Sequence, residues 1–206
     1  DIIFIAAGLG GGTGTGAAAI IAKAAKEIGA LTVSVVTKPF TWEGKKRAGL
    51  ANLGLEELKK VSDSIIIVPN DRLLEIIDEN VGMKDAFKII DNILYQAVNG
   101  MSEVILNPGN SDINTDFADV KTIMQHKGMA LMGIGRAKGE NAAHRALEDA
   151  IDSPLLDKVS LNGAQGILIH FNIHPQVSLF AINDVMGTIN DRMDSNAEII
   201  FGTTSD

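Results

Sequence analysis

Cysteine is absent from the 206 residues, so the sequence can build no disulfide framework, zinc knuckle or thiol nucleophile. That usage fits a reducing compartment. A basic surplus is absent too: 18 Lys plus Arg against 26 Asp plus Glu leave a net charge of −8. Binding to duplex nucleic acid or an anionic membrane needs excess Lys and Arg to displace counterions, so no nucleic-acid partner is expected. Long apolar runs are missing. The longest, such as Ile65-Ile66-Ile67-Val68, are strand length, far below the roughly 20 residues of a membrane span, and no direct membrane insertion is expected. His126, His144, His170 and His174 have no metal-ligand spacing and read as structural, so no metal site of the protein's own side chains is expected. Internal repeats and low-complexity tracts are also lacking. What remains, 46% apolar and 21% charged residues, is the composition of a folded chain with one large domain or two small ones.

The chain opens on Asp1 and runs straight into the apolar stretch 2–7, a buried strand with nothing before it. We expect a piece of a longer protein, lacking the strands beside that first one and cut again after Phe201-Gly202-Thr203-Thr204-Ser205-Asp206. The first 70 residues alternate: strand 2–7, glycine-rich turn, helix 14–28, strand 31–36, a loop around Pro39, helix 44–60, strand 64–68. This βαβαβ order implies an α/β fold with a parallel, Rossmann-like sheet. Pro69-Asn70-Asp71 closes the third strand and caps a short helix ending near Glu79. Apolar residues at spacings of three and four then predict one helix over 83–106, about 36 Å long at 1.5 Å per residue, as a connector. Beyond it come helix 116–126, strand 129–134, helix 140–151, strand 166–171, helix 176–193 and strand 198–201, an α+β arrangement. The expected organisation is a partial nucleotide-binding domain over 1–82, the connector over 83–106 and a second domain over 107–206.

Between the first strand and first helix, Gly8-Leu9-Gly10-Gly11-Gly12-Thr13-Gly14-Thr15-Gly16 holds six glycines in nine residues. Residues without a Cβ let backbone N–H groups approach an anion, and the helix start adds partial positive charge. A tight turn needs one or two glycines, so this run reads as a phosphate cradle. It is not a Walker loop, because Ala17 follows Gly16 where Lys is required. A dinucleotide pattern can be aligned on Gly12, Gly14 and Ala17. The acidic residue that would hold a ribose is missing from the end of the next strand, Val35-Val36-Thr37-Lys38, which leaves a nicotinamide-dependent oxidoreductase as the alternative.

Gly10 to Gly16, after a buried strand and before an Ala-rich helix, resembles the signature of the tubulin/FtsZ superfamily of GTPases in its FtsZ form; tubulins usually carry Ser where Thr15 stands. Lys38-Pro39-Phe40-Thr41-Trp42-Glu43-Gly44-Lys45-Lys46-Arg47 resembles the guanine loop of that family, and Pro69-Asn70-Asp71-Arg72-Leu73-Leu74 the start of its next helix. Asn114-Thr115-Asp116-Phe117-Ala118-Asp119-Val120 resembles its catalytic loop, and 196–202 its late strand. Trp42 replaces a usual Phe, Ala19 a frequent Pro, and Asn110-Ser111-Asp112 alters the approach to the catalytic loop. The resemblance implies an earlier βαβ portion, a final strand and a flexible tail that this sequence lacks.

It also implies roles. Gly10, Gly11, Gly12, Thr13, Gly14 and Thr15 would hold the phosphates of GTP or GDP, Glu43 and Arg47 would lie at the ribose and guanine end, and Asn70 beside them. Phe87 would stack on the base and Asp91 accept from guanine N1 and N2. Asn114, Asp116 and Asp119 would orient a water toward the γ-phosphate, with Mg²⁺ carried on the phosphate oxygens. From composition alone, the i,i+4 ion pair is the favoured reading of Glu43 and Arg47, Asn70 could simply be a helix cap, and the two aspartates read strongly as complements to a helix dipole. The implied protein is a cytoplasmic, self-polymerising GTPase of the bacterial division ring at mid-cell, reached by membrane-tethering and regulatory partners through the missing tail.

Helix geometry adds a mechanism. From Asp91 to Leu106 is 15 residues, about 22 Å of rod, and the carboxylates follow it in sequence. They are then expected to serve the nucleotide of the next subunit in a head-to-tail contact, which yields a filament when the rotation does not close. A tubulin-like filament that binds nucleotide without hydrolysing it is the other alternative, opposed by intact Asp116 and Asp119.

Overall fold

The computed structural model describes residues 1–74, 77–78, 80–106, 111–113, 117–126, 128–153, 156 and 164–205. They divide into two compact units, Asp1–Asn99 with Met124–Met132, and Gly100–Ile123 with Gly133–Asp206.

In the first unit β1 (Ile2–Gly8), α1 (Thr13–Glu27), β2 (Leu31–Lys38), α2 (Lys45–Val61) and β3 (Ser64–Pro69) alternate as the sequence predicts. The strands pair in parallel in the order β1-β2-β3, with Ile2 opposite Leu31 and Val33 opposite Ser64. Seven of the eight residues of β2, rich in β-branched side chains, are buried. β1, with a neighbour on one edge, buries only Ile5. α1 turns Ala18, Ala22 and Ala25 inward. These small side chains let the helix lie close to the sheet, where Ala18 and Ala22 join Ile5, Leu9, Val36, Ala51, Leu55 and Leu58 in one core. A Cβ on Gly54 of α2 would stand 2.6 Å from Thr15 Cγ2, so the two helices meet at that glycine.

A short α3 (Asn70–Leu73) follows β3. It starts after Pro69 with no side-chain cap, so the expected capping by Asn70 does not occur. The helix predicted over 83–106 forms as α4 (Met83–Leu106), burying Ile90, Ile93, Ala97 and Met101 at spacings of three and four. Among the described residues no helix is long and apolar enough to cross a membrane.

One strand pairs elsewhere than expected and another was not expected at all. The strand predicted over 129–134 is only Gly128–Ala130 (β5), and it extends the first sheet beside β3, Ser64 opposite Gly128, instead of joining the second half. The residues just after it leave extended pairing: a Cβ on Gly133 or Gly135 would run into the carbonyls of Ala150 or Ala146, so this segment rests on α6 (Ala142–Ile151). A further strand, β4 (Ser111–Ile113), was not expected.

The second unit carries β6 (Gly166–Ile173), α7 (Leu179–Asp191) and β7 (Glu198–Ser205), with β6 and β7 parallel in register from Gly166 opposite Glu198 to Ile173 opposite Ser205. β7 thus runs four residues past the predicted end, and β4 pairs antiparallel on its other edge. Ser178 Oγ accepts the Phe180 amide at 3.1 Å and caps α7, which buries Ile182, Val185 and Ile189. α5 (Phe117–Met124) is the remaining helix among the described residues.

Candidate functional site

The glycine-rich turn joins the C-terminal end of β1 to α1, at the carboxyl edge of a parallel sheet where open α/β folds take their ligands. The glycines divide by task. Gly14 is tied to packing, since a Cβ there would run into the Gly8 carbonyl. Gly10 adopts φ +100, and a Cβ on it would come within 3.0 Å of the Arg47 carbonyl oxygen and 3.2 Å of Pro39 Cγ. Gly11 and Gly12 face open space, with nothing among the described residues within 4 Å of a built Cβ. Gly12 is the N-cap and brings no side chain to the first-turn amides, and that turn carries no acid. Thr15 is engaged: its Oγ1 accepts the Gly10 amide at 2.9 Å and its methyl meets Gly54. Thr13 is exposed at the helix start. The open face of the turn therefore presents backbone and Thr13, which suits an anion.

The loop after β2 forms a single 3-10 turn over Thr41–Glu43. Glu43 Oε1 accepts the Phe40 amide at 2.9 Å and Oε2 accepts from Arg47 Nη1 at 2.5 Å. The ion pair that composition suggested is therefore present. It holds a carboxylate only 10% exposed, with Arg47 reaching outward at 56%. Phe40 is buried, stacks on Trp42 at 5.2 Å and 18°, and meets Phe87 of α4 edge to face at 6.0 Å and 82°. Asp91 is exposed one turn beyond Phe87. Asn70 is 6% exposed, and its Oδ1 is buried without a hydrogen-bond partner among the described residues. An orphaned buried acceptor is costly, and a ligand donor would relieve it.

The structure thus joins the glycine turn to the Glu43–Arg47 pair through Gly10, and that loop to Phe87 through Phe40. Asp119 lies exposed in the first turn of α5, in the second unit. Asn114 and Asp116 lie outside the described residues. Among the described residues no three His, Cys, Asp or Glu side chains gather to hold a metal ion.

Sequence reasoning missed the partners that shape the loop. Thr41 and Asp71, thirty residues apart, are bonded twice, at 2.9 and 2.6 Å, beside a groove of about 240 Å³ that Lys38, Lys45 and Asn52 also line. No local pattern announces a bond of that span. A wider opening of about 540 Å³ at the start of α6 is lined by Glu140, His144, Arg145 and Glu148, of mixed charge, and its described lining includes none of the expected site residues.

Residues 1–78 match the Tubulin/FtsZ family, GTPase domain, and residues 128–206 match the FtsZ family, C-terminal domain. Among solved structures, an empty FtsZ dimer from M. jannaschii is 47% identical with a TM-score of 0.92. A mutant FtsZ from the same organism is 46% identical with a TM-score of 0.91. Both alignments cover 100% of this chain, which spans 59% and 61% of the length of those two. CetZ1 from Haloferax volcanii, a GDP-bound monomer, shares the fold at 18% identity, with a TM-score of 0.79 and 60% of its chain covered. With both domain matches in family order and 47% identity along its whole length, the chain belongs to the FtsZ family.

Proposed function

We propose that the complete protein is a GTP-hydrolysing, self-polymerising cytoskeletal protein of cell division, and that this chain holds most of its nucleotide site. The observation that carries this reading is the direct contact between an open glycine turn and the Glu43–Arg47 loop at Gly10. A nucleotide has an anionic end and a planar end, and these two loops offer chemistry for each. Backbone amides around Gly11, Gly12, Thr13 and Gly14 would receive the phosphates. Glu43 and Arg47 would face the ribose and guanine, Phe87 would stack on the base, and Asp91 would accept from guanine N1 and N2. Asn70 Oδ1, buried and unpaired, would take a donor from the same nucleotide.

Mg²⁺, brought by the phosphate oxygens, would supply charge neutralisation at the γ-phosphate. Asn114, Asp116 and Asp119 would orient the attacking water from the adjacent subunit. The unbroken course of α4 from Met83 to Leu106 supports a rod beyond Asp91 and so this division of labour. Head-to-tail contact then both builds the filament and completes the catalytic site. Division at mid-cell and tethering through a tail are part of the same proposal.

Equilibrium binding of GTP, ATP and NAD to the complete protein tests the reading. Micromolar or tighter GTP binding with much weaker ATP and NAD binding is expected. Preference for NAD would return the oxidoreductase alternative, and tight GTP binding without turnover would return the non-hydrolysing filament.

A further inference from the structure

Asp71 is the second residue of α3, a position where an acid commonly does no more than complement the helix dipole. Its carboxylate is instead spent on another element. Oδ1 accepts the Thr41 backbone N–H at 2.9 Å and Oδ2 accepts the Thr41 hydroxyl at 2.6 Å. Thr41 opens the 3-10 turn that ends at Glu43, between Phe40 and Trp42. Inside that loop Glu43 already holds Phe40 and Arg47. The loop is therefore a preformed piece, and Asp71 ties it to the β3–α3 junction that also carries Asn70.

We infer that Asp71 is a positioning residue for the nucleotide site: it fixes the loop so that Phe40, Glu43 and Arg47 stand in register with Asn70 and Phe87, and it does so without touching the ligand. This inference rests on the nucleotide reading above. The physical reason is the competent fraction. A loop freed at Thr41 samples other arrangements, and apparent affinity falls by the fraction of time it spends in the right one. Both bonds are exposed, so their loss costs the fold little, while the loop they orient bears on the ligand directly. The same displacement reaches the phosphate end, because Pro39 and the Arg47 carbonyl abut Gly10.

The test uses the complete protein with Asp71→Ala, Thr41→Val, Thr41→Ser and the double variant Asp71→Ala/Thr41→Val. Three quantities are read: GTP dissociation constant, fluorescence anisotropy of Trp42, and hydrogen exchange at the Thr41 amide. Asp71→Ala should raise the GTP dissociation constant roughly five- to thirtyfold. Without nucleotide it should also lower Trp42 anisotropy and speed Thr41 amide exchange. Thr41→Ser, which keeps the hydroxyl, should restore wild-type values of all three. Thr41→Val should fall between, and the double variant should be no worse than Asp71→Ala, because both substitutions break one linkage. A freed loop with an unchanged GTP constant overturns the inference, as does a weakened constant with unchanged anisotropy and exchange, or strict additivity in the double variant. Failure of the wild-type protein to bind GTP sinks the nucleotide reading and the positioning role with it, whereas wild-type GTP binding left intact by Asp71→Ala sinks the positioning role alone.

Discussion

Phe40 meets Phe87 edge to face, with ring centroids 6.0 Å apart and planes at 82°. One ring belongs to the loop after β2 and the other to α4. The two differ sharply in exposure: Phe40 is 3% exposed and Phe87 40%. A buried ring therefore steadies an open one, an arrangement suited to stacking a planar group.

That relationship makes Phe87 the first variant to examine. Removing a stacking ring by alanine substitution costs about 1–3 kcal/mol per base. Phe87→Ala in the complete protein should lose GTP affinity in that range while Phe87→Tyr keeps most of it, as read by equilibrium titration. Equal affinities for Phe87→Ala and wild type would remove the ring from the site.

Asp91 tests base choice. A charge-assisted pair of hydrogen bonds to guanine N1 and N2 has no counterpart in adenine, so Asp91→Ala should lose roughly 1–3 kcal/mol of GTP affinity and leave weak ATP binding unchanged. Isothermal titration with both nucleotides reads the difference. Unaltered GTP binding would exclude Asp91.

The glycine turn separates packing from binding. Gly14→Ala forces a methyl group into the Gly8 carbonyl and should destabilise the fold by about 1–3 kcal/mol. Gly11→Ala meets nothing within 4 Å and should stay within about 0.5 kcal/mol of wild type in urea unfolding. Only the second is expected to cut GTP affinity in a fully folded protein. Equal stability for the two would mean that the turn tolerates what its geometry forbids.

Much of this was legible from local pattern. The 3.6-residue period of α4 survives Gly100 because Ile93, Ala97 and Met101 keep one buried face, and the alternation of the first 70 residues leaves little choice but a parallel sheet. Long-range pairing is where pattern reasoning stops. β5 is three residues long, too short to carry a period, and its partner β3 lies more than sixty residues earlier. Asn70 and Asp71 read as helix caps because their types favour that task. The first instead buries its Oδ1 without a partner among the described residues, and the second is bonded to Thr41. Thr41 and Asp71 both stand in stretches that resemble the family, but the bond between them spans thirty residues and leaves no local pattern.

Acid should destabilise the second unit through His170. Its Nε2 lies 3.3 Å from Thr204 Oγ1, its Nδ1 is buried without a partner among the described residues, and burial lowers its pKa below the ordinary 6.5, opposed by the carboxylate of Glu103 on α4. A depressed histidine pKa means the unfolded chain binds the extra proton first. Stability is then unaffected by this group above about pH 6.5, falls as pH drops below it, and levels once the folded state also protonates. His170→Gln should flatten that part of the urea-midpoint profile between pH 7 and 5. An unchanged slope in the variant would assign the acid sensitivity elsewhere.

Catalysis shared between subunits makes the most demanding prediction. Asp119 is exposed at the start of α5, so Asp119→Ala should fold normally and still bind GTP in its own pocket, yet hydrolyse it far more slowly. Thr13→Arg, at the open start of α1, should exclude the phosphates while leaving the carboxylates intact. Each variant alone should be nearly inactive. In an equal mixture that assembles at random, about one head-to-tail contact in four sets an intact Asp119 against a bound GTP, so turnover should recover to about a quarter of wild type. Phosphate release against total protein should also rise more steeply than linearly near the assembly threshold, because a subunit without a neighbour lacks half its site. Wild-type activity of Asp119→Ala alone, no recovery in mixtures that demonstrably co-assemble, or strictly linear turnover far below that threshold would each return catalysis to a single chain.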